Sequence, residues 1–494
     1  MRHSLTKERY TALAAQIQRH EDALDIRAAR RLKLLLEEEE IVHLPGETIY
    51  GWRTVSDFPD IYLPGEKEEL HASHFIHEQG RVCNLSSDWA GVLQGGLLRR
   101  RGTGEARDIT IDAVIAYADR YEDPELSEAV RYGAKDMKTA LNMFRILHMC
   151  LWASNVYHNT IGRFDQYMYP FYEADIQSGR LTEQTALQLL QEFFLSFNRD
   201  SDMYTGMQQG DNGQSLMLGG CDREGRCAVN ELTYLCITAS LNNRRIDPKI
   251  NLRVDKHTPL SLYRRCTELT RQGLGFPQYS NDDVVIPALT RLGYQLEDAR
   301  DYTVAACWEF IIPGVGMDIP NIGAVCLATV VHDVIEKKLA QCCAFDELME
   351  AVGQELVERA DKLEASLRPI FIEPAPYQSV LMSDWSHDIS EGAKYNNYGI
   401  HGTGFATAVD QLCAVRWLIF EKKLRTPQQL LSALQNNFEN EVELKNLLLT
   451  RAPKLGRDAS CESVADALLE AFAHSWSHRT NERGGCFRPG TGSA

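Results

Sequence analysis

Asp301-Tyr302-Thr303-Val304-Ala305-Ala306-Cys307-Trp308-Glu309-Phe310-Ile311-Ile312-Pro313-Gly314 reads as an apolar run that ends in a Pro-Gly turn. Cys307 and Glu309 stand at i and i+2, and in an extended backbone two such side chains point to the same face. A thiol and a carboxylate side by side in apolar sequence suit sulfur chemistry paired with a general base. The structural alternative is a buried Cys beside a Glu that reaches an Arg.

Outward from this run, two further segments stand out. Gly162-Arg163-Phe164-Asp165-Gln166-Tyr167-Met168-Tyr169-Pro170-Phe171-Tyr172 is dense in aromatics around an Arg and an Asp, and core packing accounts for most of it. Gly273-Leu274-Gly275-Phe276-Pro277-Gln278-Tyr279-Ser280-Asn281-Asp282 is a rigid loop with a polar tip, ahead of a helix that Asn281 or Asp282 can cap. It lacks the GxxxxGK[ST] pattern of a phosphate loop. His71, His74 and His77 are spaced as a helical stripe, but their flanks supply no second-shell pattern for a metal. HExxH and GxSxG are both absent from the sequence, which leaves hydrolytic metal and serine chemistry without support.

The chain of 494 residues carries 52 Lys+Arg against 69 Asp+Glu, a net charge of −17. Nucleic-acid and anionic-membrane surfaces need clustered cations, and the only compact run is Arg99-Arg100-Arg101. No stretch reaches membrane-span length and no secretory signal opens the chain, so a cytoplasmic location is expected. The 13 cysteines form no CxxC pair, which fits a reducing compartment and core use of most thiols.

Helical periodicity is read near 7–40, 125–152, 182–197, 230–242, 259–272, 283–292, 322–338, 346–367, 405–422, 426–436, 441–451 and 462–475. The run Glu37-Glu38-Glu39-Glu40 reads as a solvated face. Short extended candidates lie at 214–218, 249–254, 303–312 and 379–383. This alternation predicts an α/β architecture without an internal linker, as one large domain (1–494) with an N-terminal helical part (1–125) and a body over 126–494.

Taken in order, these segments resemble the glycyl radical enzymes, the family of pyruvate formate-lyase, glycerol dehydratase and choline trimethylamine-lyase. Gly162–Tyr172 is similar to the family's GRxDQYxYPYY stretch. The resemblance continues through Leu218-Gly219-Gly220, Asn230-Glu231-Leu232, Asn251-Leu252-Arg253-Val254 and the Gly273–Asp282 loop. It then runs through Glu297-Asp298-Ala299-Arg300-Asp301-Tyr302, Cys307-Trp308-Glu309, Glu391-Gly392-Ala393-Lys394-Tyr395-Asn396 and Arg483-Gly484-Gly485-Cys486-Phe487-Arg488-Pro489-Gly490.

The resemblance implies a ten-stranded β/α barrel of two half-barrels. In it Cys307 is the thiyl radical and Glu309 the base of a lyase or dehydratase that eliminates across a C–O, C–N or C–S bond of a small hydroxylated substrate. Arg163, Asp165, Ser280, Asn281, Asp282, Trp308 and Asn321 are the candidates for contacting that substrate. Pyruvate formate-lyase carries adjacent cysteines where this chain has Ala306 and Cys307, so acyl transfer of the formate acetyltransferase type is the less favoured alternative. Trp308 and Ala306 also depart from the small aliphatic residue and the Gly usual at these places.

The implied cofactor is a protein-derived glycyl radical, with no metal and no dissociable organic cofactor. The implied partners are a radical S-adenosylmethionine activating enzyme and a second copy of the chain. The radical glycine of the family lies in an Arg-Val-x-Gly-Tyr motif, which these residues do not contain: Arg253-Val254 continues as Asp255-Lys256. Gly484, Gly485, Gly490 and Gly492 belong to the upstream Arg-Pro-Gly segment. The expectation is a C-terminal radical domain missing from this chain, its glycine carried either on a separate polypeptide or on a segment beyond this sequence. The alternative is a degenerate, non-catalytic barrel kept as a binding or scaffold subunit.

Overall fold

The computed structural model describes residues 3–70, 84–154, 156, 159–199, 214–305, 309–367 and 370–491, with residue 321 described by its backbone alone. These divide into two compact units, one within 3–318 and 371–395, the other within 319–370 and 396–491.

The first unit is built on helices that bury one another. Every residue of Met137–Ala153 except Lys138 is buried, so it forms the centre of a helical layer rather than an amphipathic surface. Asp136 starts it by accepting from the Thr139 N–H at 2.8 Å. Its Phe144 joins Trp89, Phe164, Phe193 and Phe197 in one apolar cluster. The single helix expected over 7–40 is two, Lys7–Ile17 and Leu24–Glu38. Glu39 is not solvated as expected: it is buried and accepts from the N–H groups of Thr54 and Val55 and the Thr54 hydroxyl. The helix expected over 125–152 is also broken, at Gly133, whose φ of +107° closes Pro124–Tyr132.

Four strands follow: β1 (Gly162–Arg163), β2 (Ser215–Gly219), β3 (Lys249–Val254) and β4 (Gln278–Asn281). They pair in parallel in that order, with Met217 beside Asn251 and Arg253 beside Ser280. Every residue of β2 and β3 is buried, as a parallel sheet covered on both faces requires. The helix Glu231–Asn243 connects β2 to β3 and starts in a reciprocal cap between Asn230 and Thr233. Leu260–Thr270 connects β3 to β4.

The strand expected over 303–312 is instead an antiparallel pair, β5 (Thr303–Ala305) and β6 (Glu309–Ile311), with Ala305 opposite Glu309. The apolar run satisfies its backbone by pairing with itself. No strand forms over 379–383; Pro376 opens a helix, Pro376–Val380, for which its fixed φ is suited.

The second unit holds a parallel sheet of β7 (Ile319–Cys326), β8 (Tyr398–Thr403) and β9 (Phe487–Thr491). Residues 322–326, expected to begin the helix over 322–338, belong to β7 instead, and the helix is Leu327–Lys338. A Cβ on Gly399 would fall 2.1 Å from the Pro320 carbonyl oxygen, so only glycine lets the backbones approach there. Among the described residues, no helix is long and apolar enough to cross a membrane.

Candidate active site

Arg163 ends β1, Arg253 stands next to last on β3 and Asp282 directly follows β4, and the fold buries all three. Open parallel sheets hold ligands outside these strand ends. Arg253, fully buried on β3, meets Asp282 at the start of the helix after β4. Its Nε donates to Asp282 Oδ1 at 2.9 Å and its Nη2 to Oδ2 at 2.8 Å, a bidentate pair. Nη1 donates to the Tyr302 carbonyl at 3.2 Å, and the guanidinium lies 4.1 Å from the Tyr302 ring centroid.

Asp282 also accepts from the Tyr302 hydroxyl at 2.8 Å and the Cys221 N–H at 3.1 Å. Burial opposes the Arg253 charge and Asp282 overcomes it, leaving the guanidinium above its ordinary value. Burial raises the Tyr302 phenol well above its usual range. Gly220, at φ +76°, makes room for this pair: a Cβ there would lie 2.6 Å from Arg253 Nε and 2.8 Å from Asp282 Oδ2.

Arg163 and Asp165 stand close in sequence and both hold Gly219, one through its carbonyl and the other through its N–H. The Arg163 Nη2 donates to the carbonyls of Gly219 at 3.1 Å and Cys221 at 2.8 Å, and Nη1 to Asp301 Oδ1 at 3.1 Å. Asp165 accepts from the Gly219 N–H at 2.8 Å, the Thr233 hydroxyl at 2.6 Å and Gln166 at 2.9 Å. Burial pushes its carboxyl above the usual carboxylate range, against these donors. Ser280 is buried on β4 beside Arg253, while Asn281 is exposed and caps the next helix through the Asp283 N–H at 3.0 Å.

Tyr302 leads directly into β5, so the clamp around Arg253 holds the base of the β5–β6 hairpin. Thr303, Val304, Ala305 and Ile311 are buried; Glu309 and Phe310 are half-buried. Phe310 meets the Tyr302 ring edge-on at 5.3 Å. Past β6, the Gly314 N–H donates to the Ser86 carbonyl at 2.8 Å and its carbonyl accepts from Ser383 at 3.0 Å. Cys307 and Trp308 lie outside the described residues, in the connection between Ala305 and Glu309; His71, His74 and His77 also lie outside them. Asn321 belongs to β7 of the second unit. Among the described residues, no group of three His, Cys, Asp or Glu side chains could hold a metal ion.

A second latch steadies the approach to the hairpin. Asp298 accepts from Lys394 Nζ and the Tyr395 hydroxyl, both at 2.6 Å, and Tyr294 stacks on Tyr395 at 4.4 Å. Sequence reading named Arg253, Asp298, Tyr302, Lys394 and Tyr395 only as parts of matching segments and gave them no role. The available signal was the cation within the buried-looking strand 249–254, which needs a carboxylate partner.

The family model for pyruvate formate lyase-like proteins matches residues 126–494. The chain is 29% identical over 371 residues to the (2S)-3-sulfopropanediol dehydratase of Klebsiella oxytoca, covering 68% of this chain and 45% of that protein. It is 28% identical over 366 residues to the trans-4-hydroxy-L-proline dehydratase of Clostridioides difficile, covering 67% of this chain and 46% of that protein. The chain thus spans about half the length of the curated relatives it matches. In fold, it is similar to the hydroxyproline dehydratase of Clostridioides difficile with a TM-score of 0.86 at 20% identity, over 99% of this chain and 79% of that one. The glycerol dehydratase of Clostridium butyricum superposes with a TM-score of 0.81 at 23% identity, over 98% and 81%.

Proposed function

Because the chain belongs to the pyruvate formate lyase-like family of glycyl radical enzymes, we propose that it is a radical lyase of the dehydratase kind, with Cys307 and Glu309 as its catalytic pair. The observation that carries this reading is the β5–β6 hairpin: Glu309 stands opposite Ala305 on a hairpin whose base is buried and clamped from beneath by Arg253, Asp282 and Tyr302. The fit to a radical cofactor rests on the same features. A thiol radical needs a site shielded from water, and Tyr302, Phe310 and the buried flanks of β5 supply one face of such a shield.

The glycyl radical, carried by a glycine outside these residues, supplies the one-electron oxidation that lets the Cys307 sulfur exchange a hydrogen atom with the substrate carbon. Glu309 takes the proton from the neighbouring substrate hydroxyl as the leaving group departs, the role of a positioned general base. Its place at the start of β6 fixes it relative to the backbone of Ala305. The buried Arg163, Asp165 and Asp282 hold the strand ends in place. The substrate class is a small molecule with a hydroxyl beside the leaving group. The partners are a radical S-adenosylmethionine activase and a second copy of the chain, in a cytoplasmic setting.

The test is anaerobic turnover of a panel of vicinal diols, hydroxylated amino acids and hydroxysulfonates, with the activase and a glycine-bearing polypeptide supplied. One class should give a carbonyl or unsaturated product, and Glu309→Gln should lower kcat about 10²–10⁴-fold, the span general-base catalysis contributes. Formation of acetyl-coenzyme A from pyruvate, with no elimination product, would replace this reading by acyl transfer.

A further inference from the structure

The ribbon that follows β2 sets two thiols opposite each other. Cys221 and Cys227 are partners in an antiparallel bridge. The Asp222 N–H donates to the Arg226 carbonyl at 2.9 Å, and the Ala228 N–H to the Gly220 carbonyl at 2.9 Å. These bonds flank the pair rather than join it, so the cysteines occupy a non-hydrogen-bonded position. Residues there have Cα atoms about 4.5 Å apart and side chains on one face of the ribbon. That separation is within the ~4.4–6.8 Å that a disulfide spans. The turn is held shut by the Gly225 N–H to the Asp222 carbonyl at 3.0 Å and the Arg226 N–H to Asp222 Oδ1 at 2.8 Å. Both thiols are free.

We propose that Cys221 and Cys227 form a reversible disulfide site, oxidised by low-molecular-weight disulfides of the glutathione class. Exposure divides the roles: Cys227 is exposed and meets the oxidant, whereas Cys221 is buried and resolves the adduct. The Cys227 thiolate attacks one sulfur of glutathione disulfide, the S–S bond breaks, and one glutathione thiolate leaves. Cys221 then gives up its proton to solvent. Its sulfur attacks Cys227 Sγ, and the second glutathione thiolate leaves. Two protein thiols lose two electrons and one glutathione disulfide gains them.

Burial raises the Cys221 thiol, and the Arg253 Nη2, 3.6 Å from its sulfur, favours the thiolate that the second step needs. The site is wired to its surroundings. Cys221 touches the Arg253–Asp282 clamp, and Arg223 in the same turn donates to Asp301 Oδ2 at 2.9 Å, just ahead of β5.

The experiment treats the reduced full chain with glutathione disulfide and maps its peptides without reduction. Trypsin cuts after Arg223 and Arg226, so a 221–227 bond joins two otherwise separate peptides with the loss of two hydrogens. That joined species is expected in the wild-type chain and should vanish on adding dithiothreitol. In Cys221→Ser, glutathione should instead remain on Cys227, with an adduct lifetime at least about tenfold longer than in wild type. If the wild-type chain keeps glutathione on Cys227 as long as the variant does, or if Cys227 does not react, the proposal is overturned. The wild-type time course alone decides this if the variant fails to fold, and neither readout depends on turnover.

Discussion

Asp282→Ala removes the carboxylate from a guanidinium with no exposed surface, and the consequence can be worked from the contacts. Arg253 loses both bonds of a bidentate pair, at 2.9 and 2.8 Å, and the Tyr302 hydroxyl and Cys221 N–H lose their acceptor. Breaking a buried pair by removing one partner destabilises by about 3–5 kcal/mol, because the surviving charge stays desolvated. The orphaned hydroxyl and N–H push the loss towards the upper end of that range. With a urea slope of about 3 kcal/mol/M, the midpoint should fall by about 1–2 M.

The control is the double variant Arg253→Met with Asp282→Leu, which replaces the pair by apolar groups and should recover most of that loss. Urea unfolding followed by tryptophan fluorescence measures all of these chains. A loss below about 1 kcal/mol in Asp282→Ala would refute the reasoning, since that is the range of a solvated surface pair. A double variant no better than the single one would refute it equally, because the penalty would then not come from a stranded charge.

Gly219 and Gly220 both sit at positive φ, +68° and +76°, so alanine at either costs about 1–2 kcal/mol of left-handed backbone strain, and Gly220→Ala should destabilise further because of its clash. Its Cβ would lie 2.6 Å from Arg253 Nε, whereas the Gly219 Cβ would come no nearer than 3.1 Å to any neighbour. Equal urea midpoints would contradict the claim that Gly220 admits the clamp. Glu39 is held above its ordinary value chiefly by burial, so the folded chain binds its proton more tightly than the unfolded chain. Its contribution is therefore complete below the ordinary glutamate range and is lost as pH rises through the raised value. The stability advantage of wild type over Glu39→Gln should shrink from pH 4 to neutrality, and a widening gap in paired urea titrations would contradict this.

Much of this was legible in the sequence, and what was not has identifiable causes. The buried strands 215–219 and 249–254 announced themselves as short apolar runs between turn residues, and the ordered string of matching segments gave the family. The reading of 303–312 as one strand failed because periodicity reports which residues are apolar, not where the chain folds back on itself. Cys307 lies outside the described residues, and what the structure gives for Glu309 is its pairing opposite Ala305. The Glu37–Glu40 run looked uniformly solvated, yet the fold draws Glu39 inward to cap the N–H groups of Thr54 and Val55. The partners of Arg253 and Asp298 were illegible for another reason: Asp282 and Lys394 meet them through tertiary contacts that no local pattern encodes.

The central claim, that Cys307 is the hydrogen-transferring thiol of a glycyl radical lyase, is tested most directly by measuring radical content and turnover on one sample. Cys307→Ala, activated anaerobically beside wild type with the same glycine-bearing polypeptide and activase, should give a glycyl radical signal of equal intensity by electron paramagnetic resonance and no product. Turnover in the variant that keeps pace with its radical content would contradict the account.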